Sequence, residues 1–114
     1  MCTTPNFPTQ ADRIRALNDD LRQNISRGRA HAVMTTGVAA LGAEAVARIV
    51  KTIEVYDDFC HANDPHEEHD FGAFEAEGCT IFFKIDLYED PNVKDSDGEP
   101  LVNRVLTIML ADEY

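Results

Sequence analysis

Positive charge is scarce in this sequence: ten Lys and Arg stand against 21 Asp and Glu, a formal net charge of -11. A surface so short of cations repels nucleic-acid backbones and attracts basic partners, with a steering that salt weakens. The shortage is uneven. Met1 to Ile53 carries seven basic and four acidic residues, a balance of +3, whereas Glu54 to Tyr114 carries three and seventeen, a balance of -14. Cysteine is equally sparse. Cys2, Cys60 and Cys79 are an odd number without C-x-x-C spacing, which excludes a disulfide scaffold and leaves free thiols, Cys79 reading as a small apolar strand residue. Long apolar runs are missing, and the start, MCTTPNFPTQAD, has neither a basic stretch nor an apolar one, so a soluble cytoplasmic protein with no membrane partner is expected. Neither a Walker-type loop nor G-x-G-x-x-G occurs, which argues against a phosphate cradle.

What is present suffices for one core. A chain of 114 residues that is 44% hydrophobic can fold without disulfides or a structural metal. Residues 1–8 hold two prolines and no periodicity and read as a flexible arm, leaving 9–114 as a single domain. Thr9 and Asp12 have capping-box spacing, and Ile14, Leu17, Leu21 and Ile25 recur at helical steps up to Gly28. Ala30 to Thr36 reads as a strand. A second helix is expected from about Ala43 to Phe59, with Gly42 as N-cap, Leu41 and Val46 as a hydrophobic staple, and Ile49, Val50, Ile53, Tyr56 and Phe59 along one face. Phe71 to Ala76 then meets Cys79 to Tyr88 across Glu77-Gly78, a hairpin turn by its glycine, and the second strand alternates with period two. Val102 to Ala111 is a continuous apolar run suited to a central strand. The fourteen residues from Glu89 to Val102 are long for a hairpin connection and suggest a flap or functional loop. The expected fold is α+β: a two-layer sandwich of about two helices on a four-stranded, mainly antiparallel sheet, in the order α-β-α-β-β-β.

Residues 60–72, CHANDPHEEHDFG, gather one thiol, three imidazoles and four carboxylates. Cys60, His61, His66 and His69 are zinc-ligand types, but they crowd one stretch bent by Pro65, and no second cluster completes the set, with Cys79 or Asp86 under no compulsion to do so. No cofactor is therefore expected. His66 beside Glu67, Glu68 and Asp70 has the neighbours that stabilise an imidazolium, and Lys84, Asp86 or Tyr88 could complete a proton-transfer site from the adjoining strand. The bland alternative is that Asp64 caps a turn fixed by Pro65, while His69 or Asp70 ties the loop to the sheet. The Asp-rich loop fails as an EF-hand: with Gly98 at the sixth position, Asp95 and Asp97 fit, but Val93 and Arg104 fall where the anchoring carboxylates belong. Arg13, Arg15, Arg22, Arg27 and Arg29, on the first helix and its exit, read as the polar face of that helix, pairing with acidic groups of the second half.

The segments IRALND, TTGVAAL, NDPHEEHDFGAFE, FFKIDLYE and RVLTIMLADEY together resemble the DUF3768 family of small bacterial proteins. The resemblance runs from about Arg13 to Tyr114, and the motif falls on Asp64, Pro65, His66, Glu68, His69, Asp70, Phe71 and Gly72, then on Lys84, Ile85 and Asp86, and on Arg104 to Leu110, leaving Cys60 and His61 outside it. It implies an accessory protein of mobile elements and names no reaction. Two readings follow. The preferred one is a non-enzymatic acidic protein that binds a basic protein or nucleoprotein complex, as anti-CRISPR and anti-restriction proteins do, with Asp57, Asp58, Glu67, Glu68, Glu89, Asp90, Asp95, Asp97 and Glu99 standing in for phosphates. The other is a small enzyme or metal-binding protein centred on His66, His69, Asp70, Lys84 and Asp86.

Overall fold

The computed structural model describes residues 9–28 and 30–114, with backbone alone at Pro100. The expected arm at 1–8, Cys2 and Arg29 lie outside the described residues. Helix α1, Gln10–Gln23, opens with the expected capping box: Thr9 Oγ1 accepts from Asp12 N–H, and the Asp12 carboxylate accepts from Thr9 N–H. A 3-10 turn, Ile25–Arg27, follows and closes at Gly28, which takes the left-handed conformation. Strand β1 is only Ala32–Met34. A four-residue helix α2, Thr36–Ala39, precedes α3, Ala43–Glu54, and β2, β3 and β4 span Phe71–Ala76, Cys79–Lys94 and Pro100–Leu110.

The fold is α+β with a mixed sheet of order β1-β4-β3-β2. Three expectations need correction. The sheet is mixed because β1 runs parallel to β4, with Ala32 opposite Leu106, while β2–β3 and β3–β4 are antiparallel. Among the described residues there are three α-helical segments rather than two, since Thr35 Oγ1 accepts from Val38 N–H and caps an extra turn between β1 and α3. Helix α3 stops at Glu54, five residues early. Its C-terminal carbonyls are taken by the Arg22 guanidinium, whose Nη1 donates to Ile53 O at 3.0 Å and to Tyr56 O at 2.8 Å. The chain then leaves the helical path, and Tyr56 and Phe59 turn their rings onto Phe83.

The core draws Val38 from α2, Ile49 and Ile53 from α3, Tyr56 beyond it, Ile81, Phe83 and Ile85 from β3, and Leu106 and Ile108 from β4. Leu21, Ile25 and Phe59 pack against it. Period two puts Phe82, Lys84 and Asp86 on the other sheet face, where the rings of Phe71, Phe82 and Tyr114 meet edge to face. Gly72 is required by the close approach of β2: a Cβ there would lie 2.8 Å from the Tyr56 ring and closer still to Phe83. After β4 the chain makes a 3-10 turn, Ala111–Glu113. It carries the Glu113 carboxylate to Thr35 Oγ1 at 2.6 Å, Gly37 N–H at 3.1 Å and Leu110 N–H at 2.8 Å. Donation from Thr35, then from the backbone of Leu110, holds the Glu113 carboxyl below its usual pKa.

Candidate functional site

The acidic, histidine-bearing loop is built around a buried carboxylate. Asp64 is 4% exposed, and its Oδ1 accepts from Glu68 N–H at 2.9 Å and His69 N–H at 3.1 Å, while its carbonyl accepts from Glu67 N–H. This is the capped turn expected from Asp64 and Pro65. The clasp is tight enough to hold Glu67 and His69 at φ 57° and 56°, a left-handed conformation costing a non-glycine residue about 1 kcal/mol.

Helix α1 supplies the other half. Arg15, Asn18, Asp19 and Arg22 lie at helical steps of three and four, so one stripe of the helix faces the loop. Arg15 Nη1 donates to Glu67 O, and Asn18 Nδ2 donates to Glu68 O, each at 2.9 Å. Asn18 Oδ1 in turn accepts from Arg104 Nε of β4 at 2.7 Å. Asp19 Oδ1 lies 2.9 Å from both Arg22 Nη2 and His69 Nδ1, and His69 Nε2 sits 3.7 Å from Asp64 Oδ2. The imidazole thus lies between two carboxylates and stacks on Phe59 at 3.8 Å with rings 5° from parallel. The Arg22 guanidinium approaches the same Phe59 ring at 5.3 Å.

This stripe is what sequence reading missed. The apolar period marked Ile14, Leu17, Leu21 and Ile25, yet the buried residues of α1 are Asn18 and Arg22, and Leu17 is 53% exposed. The arginines of α1 do not all form a solvated polar face: Arg22 is buried and Arg15 is bound to the loop, and each pairs with a carboxylate of its own helix, Asp19 and Asp12, rather than with one of the second half. The signal that could have found them is the spacing itself, Arg15, Asn18-Asp19 and Arg22 repeating a mixed polar stripe beside the apolar one.

The residues grouped for chemistry fall in four places. His69 lines a cavity of about 300 Å³ with Arg15, Phe59, Cys60, His61, Asp64 and Glu67. His66 instead faces the first turns of α1, around a hollow shared with Gln10, Ala11, Ile14 and Glu68. Asp70 meets the sheet through its carbonyl, which accepts from Ile85 N–H at 2.8 Å. Lys84 and Asp86 form a 3.2 Å ion pair on the face of β3 turned away from the core, and the carboxylate raises the Lys84 pKa. His69 and the Lys84–Asp86 pair therefore stand apart, one against α1 and the other on the far sheet face. Cys60 and His61 follow α3 in a separate turn, and the Cys60 thiol is exposed. Among the described residues, no group of three or more His, Cys, Asp or Glu could hold a metal ion.

The acidic candidates occupy two regions. Asp57, Asp58, Glu67 and Glu68 belong to the connection between α3 and β2, all exposed except the half-buried Glu68. Glu89, Asp90, Asp95, Asp97 and Glu99 lie at the far end of the β3–β4 hairpin. The long loop expected there is a correction: β3 runs on to Lys94, β4 begins at Pro100, and the turn is confined to Asp95–Glu99. Asp95 makes that turn, its Oδ1 accepting from Asp97 N–H at 2.8 Å and Glu99 N–H at 3.1 Å. Pairing with β2 ends at Lys84, and pairing with β1 begins at Leu106. From Leu87 to Lys94 the two strands thus run as a ribbon without sheet neighbours among the described residues, about 24 Å long at the usual rise per residue. Leu87, Tyr88, Val93 and Val102 are exposed on it.

No curated protein and no solved structure matches the chain. A family model, described as Protein of unknown function (DUF3768), matches residues 34–113. The matched span takes in the Asp64 clasp, Gly72, the Lys84–Asp86 pair, Arg104 and Glu113, while IRALND and the rest of α1 precede it. Matched over most of its length, the chain belongs to the DUF3768 family.

Proposed function

We propose that this is a small acidic accessory protein that binds a basic protein or nucleoprotein partner. Occupying that partner's nucleic-acid-binding surface would make it an anti-defence protein of the anti-CRISPR or anti-restriction kind. In this reading the helices and sheet form a two-layer body that holds the β3–β4 ribbon away from the core. The observation that carries it is the ribbon itself. Residues 86–99 bear six carboxylates and one lysine, and Glu89, Asp97 and Glu99 are exposed. Negative charge carried beyond the sheet on a scaffold without sheet neighbours can reach into a basic groove and speed association.

The enzyme reading keeps one observation in its favour, the cavity at His69. Against it, His69 Nδ1 is committed to Asp19, the ring is packed on Phe59, and Lys84 and Asp86 lie elsewhere. The network around His69 accounts for its polar groups as a brace between α1 and the loop.

The two readings separate in one experiment. Affinity capture from host lysate is run at about 0.1 M and about 1 M ionic strength, where the Debye length falls from about 10 Å to about 3 Å. It is repeated with the triple variant Glu89→Lys, Asp97→Lys, Glu99→Lys, which spares the turn-making Asp95, and with His66→Ala. A nucleic-acid-binding partner that is lost at high salt, lost with the triple variant, retained by His66→Ala and displaced by DNA or RNA supports the proposal. Capture insensitive to salt and to the three reversals overturns it.

A further inference from the structure

The ribbon has a free backbone edge as well as charge. Ile85 N–H donates outward, away from β4, to Asp70 O. Strand alternation then turns the N–H and C=O groups of Leu87 and Glu89 the same way, past the end of β2, where no backbone partner meets them among the described residues. The β4 edge is likewise open at Val102 and Arg104, but its described side chains include no carboxylate, and Arg104 is positive. The β3 edge is acidic and amphipathic: Asp86, Tyr88 and Asp90 point to one face, Leu87 and Glu89 to the other, with Leu87 57% and Tyr88 52% exposed.

We infer that residues Asp86–Asp90 of β3 accept an extended, lysine- or arginine-bearing segment of the partner as an added strand, in line with β2. This rests on the proposed binding of a basic partner and names how that partner is held. Backbone bonds to Leu87 and Glu89 supply register, basic side chains meet Asp86, Glu89 and Asp90, and apolar ones cover Leu87 and Tyr88. A second copy of this chain is a poor occupant. Edge-to-edge pairing would set carboxylates opposite carboxylates, which is the means by which exposed strands resist self-association.

The test uses the full chain, 15N-labelled, and three capped heptapeptides as probes: KVKVKVK, KPKPKPK and EVEVEVE. The first two carry the same charge, but proline removes the N–H groups that a strand must donate. KVKVKVK is expected to bind with salt-sensitive affinity, to slow amide exchange at Leu87 and Glu89, and to bind at least about fivefold more tightly than KPKPKPK, with EVEVEVE inert. Leu87→Pro removes one edge N–H without altering charge or the β3–β4 ladder and is expected to weaken KVKVKVK about five- to tenfold. Equal binding of the two basic peptides, with loss on Glu89→Lys, overturns strand addition while leaving the charge-based function standing. Failure of both basic peptides overturns both. Exchange slowed at Val102 and Arg104 instead, or a peptide-independent dimer protecting Leu87 and Glu89, also overturns the assignment to a partner strand on β3.

Discussion

Arg22 shows how one side chain can set the end of an element. The residue is 3% exposed, and its guanidinium donates to the carbonyls of Ile53 and Tyr56 and pairs with Asp19. Arg22→Ala strands these acceptors in a buried place and is expected to cost about 3–5 kcal/mol, read as a lower urea midpoint. Arg22→Lys keeps the charge but has no planar fork, so it should recover only part of that loss. Gly72 is a different case, set by space alone. Gly72→Ala drives a methyl into Phe83 and Tyr56 and is expected to destabilise by about 1–3 kcal/mol, with Tyr56→Phe giving little relief because the ring stays. Gly72 stood in the motif that suggested chemistry, and its role is packing. Asp64 in the same motif acts as the capping residue that its pairing with Pro65 foretold.

The legible elements were those with a strong local period. The capping box of α1, the Glu77-Gly78 hairpin and the alternation of β3 follow from their own residues. The parallel partner of β4, the early end of α3 and the polar inner stripe of α1 were not legible, because each is decided by a residue far along the chain. Arg22 reaches α3, Arg104 reaches Asn18, and Leu106 N–H donates to His31 O beside β1. The ribbon was hidden for another reason: its exposed, acidic strands lack the apolar alternation by which strands are recognised. Glu113 ties the end of β4 to the start of α2 by the same long-range logic, and this link carries a pH signature. Its carboxyl is held below the usual value in the fold, so the folded state binds fewer protons than the unfolded one. The stabilisation is present above the unfolded pKa near 4.5 and is lost as pH falls through the lower folded value. Glu113→Gln should therefore be less stable than the parent at pH 6 and converge with it in acid, a difference visible in urea titrations from about pH 6 to pH 2.5.

On the scale of the whole molecule, the +3 and -14 halves do not neutralise each other. The ion pairs among the described residues are few, and three of the six use basic groups of the first half: Arg15 with Asp12, Arg22 with Asp19 and Arg48 with Glu77; the others are Lys84 with Asp86 and the two contacts of His69. Among the described residues, only Arg48–Glu77 joins a Lys or Arg of the first half to a carboxylate of the second. Among the described residues most carboxylates of the second half thus have no Lys or Arg in ion-pair contact, and the folded chain carries the self-repulsion of a net -11. Added sodium chloride screens that repulsion more than it weakens the partly buried Arg22 pair. The melting temperature is accordingly expected to rise by a few degrees between about 0.02 M and about 0.3 M salt, while affinity for a basic partner falls over the same range. Calorimetry and binding measured in one salt series should give slopes of opposite sign. A melting temperature that falls with salt would place the fold's stability in its ion pairs and remove the reason to regard the surplus negative charge as held for a partner.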